Sequence, residues 1–328
     1  MKAYTYARYG PPEVLRLTDL PKPVPGPNEI LIRVRATTVT SADWRLRSLE
    51  MPRGFGMFGR LALGITGPRK PILGSELSGE VEAVGPAVTA FRVGDPVFAF
   101  PGVTMGCHAE YKCLPADGGV APKPANLSFE EAAALSFGGS TMLDFFGRAD
   151  LRAGERVLVN GASGAVGSAA VQLAKQFGAL VTAVCSTANV ALVESIGADD
   201  VIDYTQQDFA RSNAQYDVIV DTVGNAPFAR CAPVLPKGGR LLLVLAGLKD
   251  VLTAPWITRT SGRKVVAGPA TERPEYIRQL GELASAGQFK PVIDQVFPFE
   301  EMIEAHRYVD LGRKRGNVVV TVGADRSA

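Results

Sequence analysis

The apolar positions of this chain follow one period over its first third and another over its middle. In Glu29 to Thr37, Ile30, Ile32, Val34 and Ala36 alternate with Leu31, Arg33 and Arg35. One face is buried and the other partly wet, the two-residue period of a strand. Lys2 to Arg8, Leu15 to Asp19, Glu80 to Gly85, Pro96 to Phe100 and Ala109 to Leu114 read the same way. Gly10-Pro11-Pro12, the run from Pro21 to Pro27 and the turn Arg92 to Asp95 separate them. Ser41 to Arg47 reads as a short helix with Asp43 and Arg47 paired at i,i+4. Pro122 to Pro124 marks the exit from this β-rich part. Asn126 to Ser128 then caps a helix starting near Phe129, which gives way to Gly138-Gly139-Ser140-Thr141.

From Arg156 the pattern becomes βαβα. Short apolar runs at Val157–Val159, Val181–Val184, Val201–Ile202, Val218–Val220, Leu241–Leu245 and Val265–Ala267 predict buried parallel strands. Helices between them predict a doubly wound α/β sheet covered on both faces. Glu275 to Ala286 is a helix with its apolar face at Ile277, Leu280, Leu283 and Ala284. After Gly287 come strand Val292–Phe297, helix Glu300–Asp310 and strand Val318–Val322, a tail expected to rejoin the first domain. The expected division is 1–122 with 288–328 for the β-rich domain, and 123–287 for an inserted nucleotide-binding domain.

One stretch organises the middle domain. Val157 to Val159 runs into Gly161-Ala162-Ser163-Gly164-Ala165-Val166-Gly167 and then a helix through Lys175. Strand, glycine-rich turn and helix make the phosphate-binding entry to a dinucleotide fold. A side chain at Gly164 would block the backbone from a pyrophosphate, and one at Gly167 would hold the helix off the strand. Ala162 stands in the first glycine's place. The helix's free N–H groups and positive dipole end face the phosphates. About 20 residues on, the next strand ends in Cys185-Ser186-Thr187, where an acid would read the ribose of NAD. Hydroxyls stand there instead, which favours NADPH, although Ala188 and Asn189 occupy the place where a phosphate-pairing cation would be welcome. Ser186 and Thr187 also read as a helix cap for Val190 to Ile196; both roles are open.

Composition narrows the rest. The 35 basic and 33 acidic residues leave +2, no push toward nucleic acid. No run spans a bilayer, the start lacks a signal-peptide pattern, and four cysteines show no disulfide spacing, so a cytoplasmic setting is expected. Leu49 to Lys70 is unusual: Arg53, Arg60, Arg69 and Lys70 against the single acid Glu50, interleaved with Phe55, Met57, Phe58, Leu61 and Leu63. It reads as a flap over a substrate cleft, with a membrane-surface element as the alternative.

The β-rich first domain, Ala162 to Gly167, and Gly197-Ala198-Asp199-Asp200-Val201-Ile202-Asp203-Tyr204 together resemble the medium-chain dehydrogenase/reductases over nearly the whole chain. They are most similar to the zinc-free quinone oxidoreductase branch. The resemblance implies a GroES-like catalytic domain plus a Rossmann NADP-binding domain. The catalytic-zinc ligand positions of the zinc enzymes fall at Thr40, Ser75 and near Phe137, none a thiolate or imidazole. The four-Cys structural-zinc lobe is missing, and Cys107-His108 with Cys113 reads as structural. The implied activity is NADPH-dependent reduction of a small hydrophobic quinone or α,β-unsaturated carbonyl by a homodimer, with no metal. The proton's source stays open among solvent, a cofactor hydroxyl, Tyr and Thr.

By family position, Thr141 lies against the nicotinamide and Thr40 beside it on the substrate side. Ala162, Ser163, Gly164, Ala165, Val166 and Gly167 form the pyrophosphate turn, with Ser186 and Thr187 at the ribose. Tyr204 matches a tyrosine near the adenosine phosphate, or is a core aromatic at a strand end. Val223 and Leu245 line the cofactor crevice, and Asn317 takes a cofactor-proximal place more often held by Lys. Lys314 and Arg315 read as solvated, and His306 as packing or surface. Three other readings compete. A hydrolase elbow at Ser163 fails because Ala165 stands where its last glycine belongs. An NADPH-binding sensor with little turnover, and an NAD(P)-dependent alcohol or carbonyl oxidoreductase, remain alternatives.

Overall fold

The computed structural model describes residues 1–323; positions 324–328 of the expected C-terminal segment lie outside the described residues. The strands open with β1 (Lys2–Thr5), β2 (Arg16–Asp19), β3 (Glu29–Val39), β4 (Leu77–Val84), β5 (Pro96–Ala99), β6 (Tyr111–Pro115) and β7 (Val120–Pro122). Next come β8 (Arg156–Asn160), β9 (Leu180–Cys185), β10 (Asp200–Asp203), β11 (Val218–Asp221), β12 (Arg240–Leu243) and β13 (Lys264–Ala267). β14 (Ile293–Pro298) and β15 (Asn317–Thr321) end the series. The helices begin with α1 (Ser41–Ser48), α2 (Gly56–Leu63), α3 (Phe129–Ala133), α4 (Ser136–Ala149) and α5 (Ala165–Gln176). α6 (Val190–Ser195), α7 (Phe228–Cys231), α8 (Leu248–Ser261), α9 (Pro274–Ser285) and α10 (Met302–Asp310) follow.

The chain divides into two compact units. One takes residues 1–51, 56–137 and the described chain from Glu272 on; the other takes 52–55 and 138–271. In the first, a mostly antiparallel sheet runs β14-β15-β3-β4-β5-β7, with β6 also on β3. The alternation read in β3 holds: Ile30, Ile32, Val34 and Ala36 are buried, while Arg33 and Arg35 reach Glu80 of β4. The tail does return, β15 pairing antiparallel to β3 with Val318 opposite Val39.

Segments 123–137 and 272–287, assigned from the sequence to the inserted domain, pack in the first unit instead. Ala133 of α3 and Ala134 just after it bury against Ala36 and Val319, and Asn126 Nδ2 donates to Ala284 O at 2.9 Å. Gly281 of α9 lies against Phe98, where a Cβ would be 3.3 Å from the ring. The apolar faces of α3 and α9 complete this core, so amphipathicity alone did not say which sheet they cover. Gly138 to Thr141 also proves helical, the first turns of α4. The missing side chain at Gly138 lets the helix approach α5 closely, a Cβ there lying 2.6 Å from Ala165 O.

The second unit holds six parallel strands ordered β10-β9-β8-β11-β12-β13. Counted within the unit this is the order 3-2-1-4-5-6 of the doubly wound nucleotide fold. Leu158, Ile219 and Leu241 share its core, each fully buried side chain contributing about 1.5–3 kcal/mol. The strand order reverses between β8 and β11, and ligands of such sheets bind beyond the strand ends at that point.

Candidate functional site

The site grows from the end of β8. Gly161 turns the chain with φ +84°, and a Cβ there would lie 2.5 Å from Thr222 Oγ1 and from Val223 Cγ2. Ala162 needs no such conformation; its methyl is fully buried. The tight-turn task of the usual first glycine has therefore moved one residue back. Gly167 behaves as expected, since a Cβ would lie 2.0 Å from Gly161 O and 2.8 Å from Ala162 Cα. Gly164, the residue before α5, is different: the nearest atom to a Cβ there is Gly161 O at 3.6 Å. That side of the turn is open, beside the N-terminus of a twelve-residue helix. The bare backbone and dipole fit a dinucleotide's pyrophosphate.

β11 supplies the opposite wall. Asp221, buried at its end, accepts from Asn160 Nδ2 (2.9 Å) and from the backbone N–H of Val223 (3.0 Å), Gly224 (3.0 Å) and Ala226 (2.9 Å). Thr222 Oγ1 donates to Asn160 O at 2.9 Å. These bonds lock the two strand ends together and hold Val223, half exposed, against Gly161. Leu245 joins them through Gly224, where a Cβ would lie 3.1 Å from Leu245 Cδ2. Val223 and Leu245 thus come together at the predicted strand ends. Asn160 and Asp221, which do the locking, went unrecognised; the run Asp221-Thr222-Val223-Gly224 was the available signal.

At the end of β9, Asn189 Nδ2 donates to Ser163 Oγ (3.0 Å) and Ser186 Oγ (3.3 Å), tying the glycine turn to the ribose-reading turn. The structure corrects the expectation that this turn is free of acid. β10 pairs with β9 in a register that sets Asp203 opposite Cys185, and Thr187 Oγ1 donates to Asp203 Oδ2 at 2.5 Å. That hydroxyl leads the donors, with Thr205 and Gln206, that hold the carboxyl below its ordinary range. Thr187 is therefore committed to Asp203 rather than capping α6. Tyr204 follows immediately, its side chain exposed, which removes the core-aromatic reading. Thr141, part-exposed, lies in α4 one turn after Gly138.

Thr40 and Asn317 belong to the first unit and have structural tasks there. Thr40 caps α1: its Oγ1 donates to Asp43 Oδ2 (2.6 Å) and accepts from Asp43 N (3.2 Å). Buried, it caps α1 from the position that family resemblance puts on the substrate side. Asn317 Nδ2 donates to Val292 O at 3.0 Å, pinning the approach to β14 beside β15. The expected Asp43–Arg47 pair is replaced by separate partners. Asp43 Oδ1 accepts from Gly74 N at 2.8 Å, while Arg47, fully buried, grips both oxygens of Asp310 at 2.6 Å. Of the two readings of His306, packing and surface, burial selects packing; its Nδ1 accepts from Arg47 Nε at 3.3 Å, and its ring meets His108 edge-on at 5.4 Å.

Glu76, fully buried, follows Ser75 in the chain and meets the backbone of Phe137. Its carboxyl accepts from Thr38 Oγ1 (2.6 Å), Ser136 N (3.1 Å) and Phe137 N (2.6 Å), and burial pushes it up to about 7. Lys314 proves not to be simply solvated. Desolvation pushes its ammonium down to about 8, with Glu76 and Asp294 opposing, and Nζ donates to Gly316 O at 2.6 Å. Thr40 and Ser75 offer hydroxyls and Phe137 no side-chain donor, a set that does not fit zinc. Among the described residues no three His, Cys, Asp or Glu side chains converge as a metal site.

Residues 26–125 match the model of the alcohol dehydrogenase GroES-like domain, and 196–320 that of a family described as zinc-binding dehydrogenase. The chain is 33% identical to the 2-methylene-furan-3-one reductase of Solanum lycopersicum, covering 98% of this chain and 79% of that one. It is 30% identical to the NADPH-dependent alkenal/one oxidoreductase, chloroplastic, of Arabidopsis thaliana, over 98% and 79%. The quinone oxidoreductase structure from Coxiella burnetii superposes with a TM-score of 0.86 at 29% identity, covering 98% and 99%. Fold and site define a two-domain, nicotinamide-type α/β architecture. The chain belongs to the medium-chain dehydrogenase/reductase superfamily, in its quinone-oxidoreductase-like branch.

Proposed function

We propose that this chain is an NADPH-dependent oxidoreductase that passes hydride to a quinone or an α,β-unsaturated carbonyl without zinc. The open backbone over Gly164 at the start of α5 carries the reading, supported by relatives named for enone and quinone reduction. The nicotinamide cofactor, when bound, supplies the hydride. Ala162 to Gly167 hold its pyrophosphate, Ser163, Ser186 and Asn189 face its adenine ribose, and Tyr204 lies at the adenosine phosphate. Val223 and Leu245 wall the crevice and exclude water, and Thr141 flanks the nicotinamide. Thr40, Ser75 and Phe137 bring no zinc ligand, and a conjugated acceptor needs less help because its developing charge spreads onto the far oxygen. We also propose a cytoplasmic homodimer; among the described residues no helix is long and apolar enough to cross a membrane.

The test is loss of reduced-nicotinamide absorbance when quinones and enones are added to the pure protein with NADPH. Turnover of at least one class is expected. Tight NADPH binding with no turnover across a broad panel would establish a binding protein instead. One zinc per chain in protein purified without chelators overturns the metal-free part alone.

A further inference from the structure

We propose that the outer face of α2 docks onto an anionic lipid bilayer. The Leu49–Lys70 segment is not used by the cofactor site. At about 100° per residue, Met57, Leu61, Phe58 and Ala62 fall within one arc of α2. Gly59 lies on the opposite side, buried where a Cβ would be 2.6 Å from Met51 Cγ. That contact fixes which way up the helix lies. Its far end is held by Tyr9 Oη donating to Gly64 O (3.0 Å) and Arg69 N donating to Leu63 O (2.8 Å). Met57, Phe58, Leu61 and Ile65 are thus presented to solvent at 75%, 56%, 52% and 58% exposure. Single exposed apolar residues are ordinary, whereas a contiguous row held on a fixed helix marks a contact face.

Cations border the row. Arg60 Nε donates to Ile65 O at 3.2 Å, and Arg69 and Lys70 follow, all three exposed. Lys70 Nζ donates to Val103 O at 2.6 Å, and Val103, itself exposed, extends the apolar area. The opposing acids are few: Glu50 is the only one in the segment, and Glu272 lies near Lys70. Apolar side chains flanked by Arg and Lys match the boundary between acyl chains and anionic headgroups. A second copy fits poorly, because a two-fold contact through this patch would set its cations against themselves. Resting on the function proposed above, such docking would bring the protein to quinones dissolved in the bilayer.

The test is co-sedimentation of the full chain with vesicles of phosphatidylcholine and phosphatidylglycerol in equal parts, against phosphatidylcholine alone. Binding to the anionic vesicles that weakens with salt is expected. Arg60→Ser should lower the partition about fivefold, and Phe58→Ser with Leu61→Ser more than about tenfold. These side chains are exposed, so melting temperature should hold in every variant. Absence of binding, equal binding to neutral vesicles, or undiminished binding by the double variant overturns the proposal. So does a dimer that dissociates in the double variant, since a second copy would then own the face. Turnover of the water-soluble quinones and enones of that panel is followed alongside. Its retention without vesicle binding sinks the docking alone, and its absence across the whole panel sinks the enzymatic reading.

Discussion

At the end of β8 the protein offers backbone and open space; in the first unit it shuts charged side chains away from water. Gly161, Gly164 and Gly167 act through the side chains they lack. One permits a turn, one leaves room for a ligand and one lets a helix touch a strand. Arg47, Asp43, Glu76, His108 and His306 act through groups that are costly to bury unless partnered. Arg47 has Asp310, Gly10 O and His306, and Glu76 has three donors. The first arrangement tolerates a bound anion coming and going. The second is rigid and unforgiving of a missing partner, as befits scaffold rather than binding surface.

The sharpest way to break this contrast is Arg47→Ala, which strands the Asp310 carboxylate and His306. A loss of about 3–5 kcal/mol is expected in denaturant unfolding; a loss below about 1 kcal/mol would mean that the cluster is decorative. Next come paired glycine variants. Gly167→Ala forces a methyl onto Gly161 O and should cost about 1–3 kcal/mol. Gly164→Ala should leave melting unchanged while NADPH affinity, read by calorimetry, falls about tenfold or more. Identical behaviour of the two would erase the distinction between packing and ligand glycines.

Glu76→Gln probes the buried charges by pH. The carboxyl rises from 4.5 to about 7 on folding, so between these values the native state keeps a proton that the unfolded chain has released. That stabilisation is complete below 4.5 and is lost as pH rises toward 7. Relative to the parent, the variant should gain about 1–3 kcal/mol between the two ends of that window. A constant difference would show that Glu76 does not titrate there. The smallest effect is expected from Ser186→Asp, which adds charge beside Asp203 and should lower the NADPH-to-NADH affinity ratio by roughly tenfold. An unchanged ratio would put the ribose elsewhere.

The glycine turn was legible because local spacing encodes it: strand, turn and helix are neighbours in the chain. The six parallel strands were legible for the same reason, each a short apolar run with a helix beside it. Asp203 was not, because its approach to Thr187 depends on the pairing of β10 with β9 rather than on sequence distance. Arg47 illustrates the same limit. Its i,i+4 spacing suggested Asp43, yet its partner lies on α10, far along the chain. Thr40, a substrate-side neighbour by family position, also carries the local grammar of a helix cap, Thr followed three residues later by Asp.

The return of β15 has a consequence for how this chain is made. All six strands of the nucleotide-type sheet, β8 to β13, leave the ribosome in one uninterrupted stretch and can pair as soon as they emerge. β3 has no such luck: its Ala36–Val39 edge waits for Val318–Thr321, translated only after the whole second unit. Until then that edge is open to any passing strand. Newborn chains stalled before Asn317 should therefore carry a finished second unit and a sticky, half-built first one.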